Sequence, residues 1–284
     1  MIDLPTLNYS SSPEESTHSP PALGRYVSEA EYWEKYYNYP ETIYEWNNGY
    51  LEEKPVSDFL TILMYKWFFQ LLEHYLGTHH IAETTLLEMG FNLVLPSTIE
   101  TRRPDLGVVL HSNQVPLKPT DKSYQGTFDI CIEALSDSSK TDIERDTVDK
   151  KNDYAAAGVK EYYILDGHNR HTEFYRLNAK GIYAPIKPIK EGIIKSKVLP
   201  GFQFRLSDLS SRPTPDEMID DSVYQDFVLP GYAESKKTAV AEKLARQKAE
   251  RSLNRAEQRA EQEQQRAERL AQQLRALGIN PDDF

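Results

Sequence analysis

Two acidic side chains in the middle of the chain are candidates for chemistry because apolar, strand-like sequence surrounds each of them. Asp105 opens the run 104–110, whose apolar positions alternate, so its carboxylate falls on the opposite face at the start of a strand. Glu133 lies inside FDICIEAL, between Cys131 and Leu135. An ionised carboxylate placed there must be paired, protonated or bound to a cation, since unpaired burial costs several kcal/mol. A turn or cap role for Asp105 and an Arg partner for Glu133 are the plain alternatives.

A basic side chain follows on the next predicted helix, which runs from Thr141 or Asp142 to Ala157. Asp146 and Lys150 are four residues apart and therefore share one face of this helix. They form either a surface ion pair, worth ~0.3–0.5 kcal/mol, or an inward-facing pair beside the two carboxylates. Lys151 competes with Lys150, because adjacent helix residues point about 100° apart and only one can face a cleft.

The elements that would position these residues are an amphipathic helix from about Ser57 to Gly77 and a series of short strands. ETIYEWNNGYLEE predicts a hairpin around Asn48-Gly49. A strand, the 141–157 helix and another strand follow within 40 residues, which indicates a crossover in a mixed sheet. The strands expected after the hairpin, including the two of the crossover, are 81–89, 91–95, 104–110, 128–135, 161–166, 172–177, 182–185 and 202–206.

The chain divides by composition into a folded part and a C-terminal extension. We expect a Ser- and Pro-rich tail (1–24), an α/β domain (25–210), a linker (211–232), one long helix (233–278) and a short tail (279–284). The seam of the long helix, with Leu253, Leu270 and Leu274 among mostly Ala positions, has alternating steps of three and four. A homodimer through a weak coiled coil is expected; a single solvated helix is the alternative.

Composition excludes several classes of protein. No window of 18 residues lacks charge, which excludes a membrane span, and the single cysteine, Cys131, cannot form an internal disulfide. The N-terminus has no signal-peptide pattern, so a cytoplasmic location is expected. A net charge of -11 argues against bulk electrostatic binding of nucleic acid, but residues 232–277 hold 11 Lys and Arg against 7 Asp and Glu.

Histidines offer a weaker metal pattern. His168 and His171 with Asp166 imitate a metal cluster, although GHNRH is more typical of an exposed turn. His79 and His80 follow the expected end of the first long helix and are expected at the surface.

Taken in order, several motifs resemble the Uma-type family of bacterial restriction endonucleases, within the PD-(D/E)XK nuclease superfamily. They are YEWNNGYLEE, RRPDLGVV, DICIEALSDSS, D-x-x-x-K-x-x-x-Y, AAAGVKEYYILD and KVLPGFQFRLSDL. The resemblance covers about residues 28–210 and is most specific from Asp129 to Asp166. It implies a restriction-endonuclease-like mixed β-sheet flanked by helices, to which this chain adds a long C-terminal helix.

The resemblance also implies roles for single residues. Asp105 matches the Asp of the PD motif and Glu133 the acid of the second motif, so both would hold Mg²⁺, or Mn²⁺ instead, with the Ala134 carbonyl as a further ligand. The usual lysine two places after the acid is replaced by Leu135, and Lys150 matches the helix lysine that takes its place in the Uma-type pattern. Relatives often carry a His near the start of the long helix, where this chain has Asp58, and no role is carried over there.

The implied activity is metal-dependent hydrolysis of DNA phosphodiester bonds. Asp105, Glu133 and Lys150 would be the catalytic residues, with DNA as the substrate. The alternative is a non-catalytic interaction or scaffold protein that retains the nuclease fold and uses its C-terminal coiled coil. Retention of the two acids and a helix lysine favours the enzyme, whereas the missing motif lysine and the acidic charge favour the scaffold.

Overall fold

The computed structural model describes residues 24–95 and 98–276, and their strands form three sheets. A four-stranded antiparallel sheet contains β1 (Tyr44–Asn47), β2 (Tyr50–Glu53), β4 (Phe91–Val94) and β5 (Ile99–Arg102) in the order β2–β1–β5–β4. The expected hairpin is confirmed, since Asn48 and Gly49 take the two left-handed positions between β1 and β2. Strand β5 was not expected from the sequence.

A six-stranded sheet forms the centre of the fold, and its strands lie in the order β10–β9–β8–β7–β6–β3. Its strands are β3 (Ala82–Thr85), β6 (Leu106–Leu110), β7 (Ile130–Ala134), β8 (Glu161–Leu165), β9 (Glu173–Leu177) and β10 (Tyr183–Pro185). Only the β7–β8 pair of this sheet is parallel, as the predicted crossover requires. A small sheet pairs β11 (Ile193–Lys195), which was not expected, with β12 (Gln203–Arg205).

Helices cover both faces of the six-stranded sheet. On one face α2 (Phe59–His79) packs its Phe68 ring against Tyr163 of β8. On the other, Tyr154 of the crossover helix packs against Tyr162. Neighbouring strand residues point to opposite faces, so Tyr162 and Tyr163 each anchor one layer. The α/β class with a mixed sheet flanked by helices is thereby confirmed.

The bounds of two helices and one strand differ from the expectation. Gly77 lies inside α2, and the left-handed residue that ends the helix is His80, whose backbone N–H donates to Leu76. The crossover helix consists of α3 (Lys140–Glu144), a π-helical turn (Arg145–Asp149) and α4 (Lys150–Ala157), and Gly158 ends it as expected. The expected strand 81–89 stops at Thr85, because Leu87 and Glu88 form a turn with positive φ.

The first residues of the fold form α1 (Glu29–Glu31), capped by the Ser28 side chain, and a further π-helical turn (Tyr32–Tyr36). Strand β5 ends at Arg102 in one sheet and β6 begins at Leu106 in the other, so residues 103–105 connect the two sheets. This connection brings Asp105 to the junction between them.

The chain divides into two compact units, at Pro213 and Thr214. The first unit ends with α5 (Asp208–Ser211). The segment expected as a linker contains α6 (Pro215–Met218) and a run of buried apolar side chains: Met218, Ile219, Val223, Tyr224, Phe227 and Val228. The second unit continues as α7 (Pro230–Ala276), whose side chains are almost all exposed. Within the described residues, no helix is both long and apolar enough to cross a membrane.

Candidate active site

Asp105 and Glu133 meet at one end of the β6–β7 pair. Leu106 lies opposite Ile132 in this antiparallel pair, so the next position outward on each strand is occupied by one of the two acids. The backbone N–H of Ala134 donates a hydrogen bond to Asp105 Oδ2 at 2.6 Å, which fixes the Asp105 carboxylate beside β7. Glu133 is 1% exposed, and Tyr154 donates its hydroxyl to Glu133 Oε1 at 2.8 Å.

Lys150 points inward and contacts three carboxylates. Its Nζ lies 3.1 Å from Glu133 Oε2, 3.0 Å from Asp146 Oδ1 and 3.5 Å from Glu45 Oε1. Burial by itself would lower the pKa of Lys150, but these carboxylates raise it above its usual value. Burial raises the pKa of Glu133 above its usual range, against the charges of Lys150 and Lys54. The Asp146–Lys150 pair is therefore an interior ion pair, not a surface one.

Lys151 points elsewhere. Its Nζ lies 4.8 Å from the centre of the Tyr175 ring, a cation–π contact on β9. The two adjacent lysines thus separate as helix geometry requires, and Lys150 is the one beside Glu133.

A second lysine, Lys54, also lies in the site, and it was not predicted from the sequence. It follows β2, and its Nζ lies 2.8 Å from Asp105 Oδ1 and 3.8 Å from Glu133 Oε2. It also donates to the Arg103 carbonyl at 2.6 Å. Burial would lower the pKa of Lys54, but Asp105 and Glu133 raise it above its usual value. One ammonium group therefore lies between the two carboxylates that the resemblance assigns to a metal ion.

Glu88 is a third carboxylate beside the Lys54 ammonium. Its Oε1 is 3.8 Å from Lys54 Nζ, and its Oε2 is buried with no hydrogen-bond partner among the residues described. Leu87 and Glu88 both have positive φ, a conformation that costs of order 1–3 kcal/mol for a residue with a side chain. The strained turn thus holds a buried carboxylate oxygen in the site, and no donor from the described part of the chain reaches it.

Behind these residues lies a second group of buried charges centred on Arg102 and Glu45. Glu45 Oε1 accepts from the backbone N–H of Arg103 at 2.8 Å, and its Oε2 is 3.4 Å from Arg102 Nη1. Burial would raise the pKa of Glu45, but Lys150 and Arg102 lower it to about 2. Glu45 therefore contacts both Lys150 and Arg102, and it connects the carboxylates around Lys150 with those around Arg102.

Arg102 is fully buried among acidic side chains: Glu45, Glu52, Glu100 and Asp153. Its closest contacts are to Glu52 and Asp153, each at 2.7 Å. Glu100 lies farther away, at 3.5 Å, and burial together with the nearby Asp153 charge raises its pKa to about 7.

The chemistry of the donor set suits a hard divalent cation, although among the described residues Asp105, Glu133 and Glu88 do not form a group with ligand atoms within 4.8 Å of one another. Mg²⁺ and Mn²⁺ prefer carboxylate and carbonyl oxygens, which is what surrounds the Lys54 ammonium. The orphaned Oε2 of Glu88 adds an oxygen that lacks a donor in the described structure. The Ala134 carbonyl accepts a hydrogen bond from Ser57 Oγ at 2.6 Å, so it is already engaged on one side.

A separate group of Asp58, Asp137 and His168 has ligand atoms within 4.8 Å of one another. Asp58 caps α2 through the N–H of Thr61, and Asp137 pairs with Arg170, so both carboxylates have protein partners.

In the GHNRH turn, His168 and His171 do not form a metal group with Asp166. Asp166 accepts backbone N–H groups of residues 168, 170 and 171, which agrees with the turn expected there, and its carboxylate does not join the histidine rings in a metal group. His79 and His80 are exposed, and Cys131 is a buried core residue, as expected.

Comparison with known families identifies the family to which the chain belongs. The Uma2 family model, described as "Putative restriction endonuclease", matches residues 30–207. This is more than half of the chain, and the protein belongs to that family. A solved structure from Anabaena variabilis ATCC 29413, titled "a putative nuclease belonging to DUF820", is 16% identical, with a TM-score of 0.48 over 61% of this chain and 92% of that chain. No curated protein matches the sequence.

Proposed function

We propose that this chain is a metal-dependent nuclease that hydrolyses phosphodiester bonds in DNA, with Asp105 and Glu133 as metal ligands and Lys150 as the site ammonium. The observation that carries the proposal is the meeting of Asp105 and Glu133 around one shared cationic group at the junction of two strands. Membership of the restriction-endonuclease family supports the same chemistry.

The protein groups supply orientation and charge. A bound Mg²⁺ would polarise a phosphoryl oxygen and lower the pKa of a bound water. Asp105 is held by the Ala134 N–H and, through its own backbone carbonyl, by the Tyr65 hydroxyl at 2.9 Å. Tyr154 orients Glu133, and Lys150 places a fixed positive charge beside it. Preorganised charge of this kind stabilises the negative charge that develops on the phosphate.

The test is cleavage of supercoiled plasmid DNA by the purified full chain with Mg²⁺, with Mn²⁺ and with EDTA. We expect cleavage only with a divalent ion, and its loss in Asp105→Asn and Glu133→Gln. Asp129→Asn is the matched control, because Asp129 is also buried but precedes the other end of β7, where it pairs with Lys160 at 2.6 Å. Metal-independent cleavage, or equal activity in all three variants, would refute the proposed site.

The second candidate is an interaction protein that works through α7. This helix is 47 residues long and carries half-exposed leucines, including Leu253 and Leu270. Pairing of two such helices would bury these side chains and give a homodimer. An intact plasmid under every metal condition, combined with a dimer that dissociates when residues 234–284 are removed, would favour this candidate over the nuclease.

A further inference from the structure

The Lys54 ammonium lies in a cage of oxygen atoms with the composition of a metal site. The cage consists of Asp105 Oδ1 at 2.8 Å, the Arg103 carbonyl at 2.6 Å, and Glu133 Oε2 and Glu88 Oε1, each at 3.8 Å from Nζ. The Lys54 side chain is only 6% exposed. A cation shared by Asp105 and Glu133 would have to occupy this same region, so the ammonium and the ion exclude each other.

We propose that Lys54 is a built-in competitor of the divalent cation, and that its ammonium must leave the cage before the ion can contact both Asp105 and Glu133. The inference rests on the proposed function, because it takes these two carboxylates as the metal ligands. Like charges a few ångströms apart repel strongly in a partly dehydrated site. Lys54 therefore weakens metal binding, and the site fills only when the ion concentration is high enough to displace it.

The neighbouring groups explain why Lys54 is the lysine that leaves. Three carboxylates lie within 3.5 Å of the Lys150 ammonium, and its side chain is 1% exposed. Among the described residues, Asp105 supplies the one carboxylate within 3.5 Å of the Lys54 ammonium. A lysine has a flexible four-carbon stem, so its ammonium can move while the backbone stays in place. Its departure leaves three carboxylates facing the ion, and the orphaned Oε2 of Glu88 becomes available to it.

The experiment measures Mn²⁺ affinity of the full chain by isothermal titration calorimetry, a readout that does not depend on cleavage. We expect Lys54→Met to bind Mn²⁺ at least about tenfold more tightly than the wild type, since one repelling charge is removed. Lys54→Arg, which retains the charge, should not gain affinity. Lys160→Met is the matched control: it makes the same change in net charge by removing the partner of Asp129 outside the cage, and it should leave Mn²⁺ affinity unchanged.

The outcomes separate this inference from the proposed function. Equal or weaker binding by Lys54→Met, in a protein whose wild type binds Mn²⁺, overturns the competitor role alone. If neither protein binds Mn²⁺, the shared metal site and the proposed function fall together. Should Lys54→Met unfold without metal, its melting curve is recorded with saturating Mn²⁺: recovery of the folded state supports the inference, and no recovery overturns it.

Discussion

Replacement of Lys150 by Met is the perturbation whose effect on stability the structure defines best. The substitution keeps a long apolar stem but removes the ammonium that contacts Glu133, Asp146 and Glu45. All three carboxylates are at least nine-tenths buried, and breaking a buried ion pair by removing one partner costs about 3–5 kcal/mol. For a folded unit of this size, that loss corresponds to a fall in melting temperature on the order of 10 °C.

The assay is urea unfolding of the full chain, followed by circular dichroism at pH 8 and at pH 5. The folded-state pKa of Lys150 is raised above 10.5, so its contribution to the wild type is fully present at both pH values and is lost only at more alkaline pH. Burial already raises the pKa of Glu133 in the wild type, and loss of the Lys150 ammonium removes a charge that lowers it, so the stability of the variant falls more steeply than that of the wild type as pH rises. We therefore expect the difference from wild type to be larger at pH 8 than at pH 5.

Lys151→Met is the matched control for this measurement. Lys151 contacts only the face of the Tyr175 ring among the interactions described for it, and an exposed cation–π contact is worth about 0.5–1 kcal/mol. A Lys150→Met cost no larger than that of Lys151→Met, or a cost that does not change with pH, would refute the assignment of a buried three-carboxylate cluster.

Three further predictions concern other parts of the chain. The pKa of Glu100 is raised to about 7, so the folded protein holds a proton there and loses stability as pH rises from 5 to 8. The stability of Glu100→Gln relative to the wild type should therefore increase over this pH range, as measured in paired thermal melts. Leu253→Asp with Leu270→Asp should convert a dimer into a folded monomer in sedimentation equilibrium, because charge enters the seam. Gly49→Ala should destabilise by about 1–2 kcal/mol, whereas Gly77→Ala, inside α2 with open space around it, should stabilise by up to ~1 kcal/mol in urea melts.

The outcomes that would contradict these three predictions are distinct. An unchanged pH profile in Glu100→Gln would show that its carboxyl does not bind the extra proton. A dimer that survives both Asp substitutions would place the interface in another part of the protein. Equal effects of the two Ala substitutions would mean that the left-handed backbone at Gly49 carries no energetic cost for alanine.

Local sequence patterns correctly predicted the elements that depend on a short stretch of sequence, such as a tight turn or an amphipathic helix. The Asn48-Gly49 turn and the crossover from β7 to β8 follow from turn chemistry and from periodicity, and the structure has both. The end of α2 was misplaced because Gly77 is a usual helix terminator, whereas the residue that adopts the left-handed conformation is His80. Strand β5 was not predicted because its sequence IETR has no alternating apolar pattern. Three of its four residues are buried, two of them charged, because the strand pairs with β1, which is distant in sequence.

The site was predicted in part. Asp105, Glu133 and Lys150 were predicted from the family resemblance. In the structure Lys150 Nζ lies 3.1 Å from Glu133, and Lys54 Nζ lies 2.8 Å from Asp105 and 3.8 Å from Glu133. Lys54 and Glu88 were missed because their surroundings resemble surface sequence: Lys54 follows two glutamates, and Glu88 lies in a segment expected to be a strand. Their place depends on contacts between residues far apart in sequence, such as that of Lys54 with Glu133. No local period encodes such contacts.

The three-residue connection between β5 and β6 has a mechanical consequence. It leaves one sheet and enters the other at Asp105, while Lys54 approaches the same point from the end of β2 in the first sheet. Rotation of one sheet against the other would therefore change the distance between Lys54 and Asp105, because Lys54 follows a strand of one sheet and Asp105 precedes a strand of the other. We therefore expect a ligand that holds this junction in place to slow amide hydrogen exchange in strands of both sheets.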